Sequence, residues 1–109
     1  MIEVTLYCRA DGKLAGYTFS GHADSAPYGE DLVCAAASTL AIVTANSLEA
    51  QGIAFEADMD EGYLKLMLAP ALGERDALVA EAVLKTLEVG AKQLAQDHIQ
   101  YIKANSVYV

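Results

Sequence analysis

At 109 residues, 54% hydrophobic and 20% charged, the chain is long enough for one packed core and too apolar for disorder. A formal net charge of −8 disfavours direct nucleic-acid binding, because phosphate backbones select basic surfaces, and favours a basic partner. No apolar run approaches the ~18–20 residues that span a bilayer, and the opening MIEVTLYCRA alternates in type instead of running basic and then apolar as an export signal does. The expectation is a soluble, cytoplasmic protein with no membrane contact. Its two cysteines would then stay reduced.

Ile2, Val4, Leu6 and Cys8 alternate with Glu3, Thr5, Tyr7 and Arg9, the period of a strand with one buried face. That pattern places Cys8 in the core. Asp11-Gly12 signals a hairpin, and LAGYTFSG is its returning strand. Residues 21–30 form a loop. A helix is predicted from about Asp31, a good N-cap, to Gln51, with Gly52 as its stop. Its alanine-rich first half has almost no polar face, which predicts burial on several sides, by the sheet and by a second subunit. IAFEADMD and YLKLMLAP form a second hairpin around Glu61-Gly62. Glu56, Asp58 and Asp60 lie on one face of its first strand, and Phe55, Ala57 and Met59 on the other. A second helix runs from about Glu74 to Gln96 on a stripe of Val79, Val83, Leu87 and Leu94. YIKANSVYV closes the chain as a strand. The order β-β-α-β-β-α-β predicts a single α+β domain over residues 1–109, one mixed sheet with two packed helices.

The reactive side chains gather in SGHADSAPYGEDLVCAAAS, residues 20–38. With Asp31 as N-cap, Cys34 is the third residue of the helix. Backbone N–H groups there lack partners, and the helix end carries partial positive charge that favours an anion. The thiolate is the nucleophilic form of cysteine, and the same N–H groups suit an oxyanion. A free cysteine is also commonly a small buried hydrophobe, and that reading stays open. His22 sits where the second strand ends, and a twelve-residue separation lets the loop bring it to Cys34 as general base and acid. Solvent exposure in a loop is its plain alternative. His98, near the end of the second helix, has no such company and suits the negative helix end. Asp31 has two candidate tasks, capping the helix and orienting His22 as a third triad member. Asp24 and Glu30 are weaker candidates for the second. Ser38 follows Cys34 by one turn on the same face, where its hydroxyl can bond near the thiol or simply back-bond within the helix. Gly21 and Gly29 flank the loop and offer unusual backbone angles or room for a substrate chain. His22, Asp24, Asp31 and Cys34 could in principle ligate zinc, but structural zinc sites use several Cys and His ligands, so no metal is expected. The sequence carries no phosphate loop, dinucleotide fingerprint or G-x-S-x-G elbow, and no cofactor is expected.

GHA followed by YGEDLVCAAAS closely resembles the signature of the Prp family, the bacterial ribosomal-processing cysteine proteases. The resemblance covers the whole chain, including its length, the opening hairpin and the C-terminal YI…YV region. It implies a cysteine endopeptidase with Cys34 as nucleophile and His22 as base. It further implies a homodimer, a mobile loop between His and Cys, and removal of a short N-terminal extension from large-subunit ribosomal protein twenty-seven. The chain departs from the family pattern at Asp24-Ser25, where a glycine often follows GHA, and at Ala37, where valine is usual. Neither change removes a reacting group. The competing expectation is a non-catalytic ribosome-assembly module that binds a ribosomal protein through the groove beside residues 21–34.

Overall fold

The computed structural model describes residues 1–24, 26–27 and 31–109. Ser25, Tyr28, Gly29 and Glu30 lie outside the described residues, and with them the expectations placed on Gly29 and Glu30. Each predicted element forms within a few residues of its expected bounds: β1 (Ile2–Cys8), β2 (Leu14–Ser20), α1 (Leu32–Ala50), β3 (Phe55–Asp60), β4 (Tyr63–Leu68), α2 (Glu74–Asp97) and β5 (Ile102–Tyr108). The strands make one mixed sheet in the order β3-β4-β2-β1-β5. Neighbours run antiparallel except β1 and β5, which pair in parallel. The long α2 makes that parallel pair possible, because it carries the chain from β4 to the far edge of the sheet.

Register aligns the apolar positions into one surface. Val4 faces Phe19 and Leu6 faces Tyr17 across β1 and β2, and the same Tyr17 and Phe19 face Leu66 and Leu64 of β4. All six are buried. Against this surface α1 lays Val33, Ala37, Ala41, Thr44 and Leu48, and α2 lays Ala80, Leu84, Leu87 and Ala91. The Tyr17 hydroxyl donates to the Ala41 carbonyl at 2.8 Å and ties α1 to β2. Between the helices, Leu40 sits over Gly90, where a Cβ would come within 3.1 Å of it. The opposite face of the sheet is polar. There the Tyr7 hydroxyl pairs with Thr18 Oγ1 at 2.7 Å, Lys65 lies over the Tyr7 ring, and Lys103 meets Glu3 at 3.1 Å.

Three expectations need adjustment. First, within one chain the sheet buries α1 along a single stripe; Leu32 is 81% and Val43 57% exposed, which leaves the outer face open to the second subunit that the expectation invoked. Its alanines made every face look apolar, but only the residues spaced along the sheet side are covered. Second, α1 is long and apolar enough by length and composition to cross a membrane. Ser38, Thr39, Thr44, Asn46, Ser47 and Glu49 interrupt the helix's apolar residues without lowering its mean hydropathy enough to rule out that length of apolar helix. Third, Cys8 is only half-buried. It still packs against the edge of the core, where a bulge between Tyr7 and Cys8 steps the pairing from Gly16 to Leu14, past Ala15.

Candidate active site

One end of the sheet collects the chemistry. Ser20, the last residue of β2, pairs with Tyr63, the first of β4. Beyond it the Gly21 N–H donates to the Gly62 carbonyl at 2.8 Å, which carries the pairing one step into the β3–β4 turn. Gly21 then turns the chain at φ +95, with the Met1 carbonyl packed where a Cβ would stand. A side chain would be excluded there both by conformation and by space. The Met1 ammonium donates to the His22 carbonyl at 2.6 Å, so the backbone of His22 is held from both sides. Its imidazole lies over Gly62: a Cβ on that glycine would come to 2.6 Å from Nε2.

Asp24 follows with φ 55, a left-handed angle uncommon outside glycine. Aspartate is among the residues that tolerate it best.

α1 brings the thiol to the same end. Asp31 is its N-cap, and Oδ1 accepts from the Cys34 N–H at 2.9 Å. The cap satisfies one of the orphan donors of the first turn and fixes Cys34 as the third helical residue. The Asp31 carbonyl takes the Ala35 N–H at 3.0 Å. Cys34 is half-buried.

Two pockets meet over these residues. One, of about 150 Å³, has an apolar floor of Ile2, Phe19, Ala37, Ala41 and Leu64 and takes Met59, Asp60, Gly62 and Tyr63 from the β3–β4 hairpin. The other, of about 600 Å³, carries three acidic residues, Asp24, Asp31 and Glu61, beside Ala26 and Ala35. His22, Cys34 and Ser38 line both. They form the ridge on which an apolar pocket and an acidic one adjoin. His98, by contrast, is the C-cap of α2. The hairpin's share of the site, Met59 to Leu64, is the part that the sequence reading missed. Glu61-Gly62 reads locally as a turn, and nothing in its own pattern says which distant side chain it supports.

The family model described as cysteine protease Prp matches residues 1–103. The ribosomal processing cysteine protease Prp of Staphylococcus aureus is 25% identical over 108 residues, covering 96% of this chain and 98% of that protein. Among solved structures, the S. aureus ribosomal processing protease Prp with a covalently linked product peptide superposes with a TM-score of 0.87 at 24% identity, over 98% of this chain and all of that one (100%). A protein from Streptococcus mutans superposes at 0.78 with 26% identity, over 100% of this chain and 96% of that one. These matches define the chain as an enzyme of the cysteine-protease class. It belongs to the cysteine protease Prp family.

Proposed function

We propose that the chain is a ribosomal-processing endopeptidase that removes an N-terminal extension from large-subunit ribosomal protein twenty-seven. The observation that carries the reading is the shared ridge: His22 and Cys34 border the same two pockets, so a peptide laid across both would present its scissile bond to thiol and imidazole together. Cys34 Sγ attacks the scissile carbonyl carbon. His22 accepts the thiol proton and returns it to the leaving amine. The resulting thioester is hydrolysed by a water whose proton His22 takes in turn. The Cys34 N–H is engaged by Asp31 and the Ala35 N–H by the Asp31 carbonyl.

The apolar pocket suits the extended, apolar segment that the family resemblance implies, and the acidic pocket suits a basic continuation. A cytoplasmic homodimer fits the same reading. Val43 and Ile42 are 57% and 41% exposed on α1, and Ile42 also lines the apolar pocket, so a second copy seated there would border the groove. A non-catalytic module would have no use for a thiol beside an imidazole.

The test is incubation with a peptide spanning the N-terminal region of the cell's own ribosomal protein twenty-seven, read by mass spectrometry. Wild-type protein should cleave it and pass through a thioester-linked species. Cys34→Ala and His22→Ala should each fold and lose cleavage, the latter by about 10²–10⁴-fold. Wild-type turnover by Cys34→Ala would end the reading. A monomeric mass by light scattering would remove the dimer without touching the chemistry.

A further inference from the structure

We infer that Gly62, in the β3–β4 turn, is a positioning residue for the His22 imidazole; the inference rests on the proposal that His22 is the general base. The ring lies against the glycine so closely that a Cβ would stand 2.6 Å from Nε2, 3.1 Å from Cε1 and 3.2 Å from Cδ2. Real Cβ atoms do not approach to 2.6 Å, and because the ring is the exposed end of its side chain, it is the ring that would swing aside for a side chain at 62. The same glycine accepts the Gly21 N–H at 2.8 Å, one residue before His22. Gly62 thus holds the backbone leading into His22 with its carbonyl and supports the ring with its bare Cα.

A glycine in a hairpin turn ordinarily needs no further account, since φ +67 alone favours it. Two other glycines separate that cause from this one. Gly12 turns the β1–β2 hairpin at φ +85, and Gly52 follows α1 at φ +73; a Cβ on either would meet nothing within 4 Å. Substitution at Gly12 therefore measures the cost of the angle alone. Substitution at Gly62 measures the angle and the loss of the ring's seat. Asparagine divides the two further, because it accepts a left-handed angle yet carries a Cβ.

The experiment compares Gly62→Ala, Gly62→Asn, Gly12→Ala and His22→Ala in peptide cleavage, with the His22 ring followed by its Cε1–H resonance in NMR. A displacement of a catalytic group on the order of 1 Å costs up to ~10²-fold in rate. Both Gly62 variants should lose about 10–100-fold in kcat with KM changed by less than about threefold, the signature of a loss felt mainly in the transition state. Their ring signal should move. Gly12→Ala should keep wild-type kcat and an unmoved signal. A Gly62→Asn variant with wild-type kcat and an unmoved ring overturns the inference, and so does one whose only change is a raised KM. If His22→Ala cleaves as fast as wild type, it is the underlying assignment of the base that has failed.

Discussion

Asp31 Oδ1 accepts the Cys34 N–H at 2.9 Å, so the residue that starts α1 also fixes the backbone of its third residue, the one bearing the thiol. Removing such a cap costs typically ~1 kcal/mol, whereas asparagine caps nearly as well as aspartate. Asp31→Ala should therefore lower the thermal midpoint by about 4–8 °C, and Asp31→Asn by much less. Calorimetry on the two variants checks this; equal losses would mean that the charge matters more than the cap. Asp31→Asn should also keep more cleavage activity than His22→Ala. Both roles considered for Asp31 were open at the level of sequence, and the cap could be read there because it depends only on residues three apart. Gly62 could not be read that way. Its support of His22 joins residues forty apart in the chain through the pairing of β2 with β4, which no local pattern encodes.

The elements themselves were legible because each carries a strong period. Alternation in β1 and β3 and the caps at Asp31 and Gln51 are local signals, and local signals hold when tertiary packing agrees with them. Composition alone does not say which side of α1 the sheet takes, since its alanines are compatible with burial on any side and within one chain the sheet covers only one. The element pair that matters most for the site is β2 and α1, because β2 leads to His22 and the first turn of α1 carries Cys34. Tyr17 joins the two by donating to the Ala41 carbonyl, and burial raises its phenol pKa above the ordinary value of 10.0. The folded protein therefore keeps the Tyr17 proton at pH values where the unfolded chain loses it. Its contribution is complete below pH ~10 and falls as pH rises beyond that. Tyr17→Phe should cost about 1 kcal/mol at neutral pH. Its stability should then decline less steeply in alkali, so that the urea midpoints of variant and wild type converge above pH ~10. Parallel curves would show that the tyrosine does not set the alkaline limit.

At the scale of the whole molecule, seven basic residues stand against fifteen acidic ones, and the groove takes a share of that excess. Asp24, Asp31 and Glu61 line the acidic pocket, Asp60 lines the apolar one, and Glu56 and Asp58 project from β3 on the polar face of the sheet. A ribosomal protein, basic as its RNA partner requires, would be drawn to such a surface before any residue enters the groove. Exposed charges are screened over about 8 Å at physiological ionic strength, so this attraction acts on encounter and weakens as salt is added. The apolar floor of Ile2, Phe19, Ala37, Ala41 and Leu64 acts at contact range and has no comparable salt dependence. Recognition should accordingly divide into a salt-sensitive approach and a salt-insensitive fit. For the intact basic substrate, kcat/KM should fall as sodium chloride rises from low to physiological concentration, carried mainly by the association step. A short neutral peptide spanning only the cleavage site should change little over the same range. Initial rates of the two substrates in one salt series decide it. If both respond alike, the net charge of −8 has no steering role and its effect lies in keeping the protein dispersed.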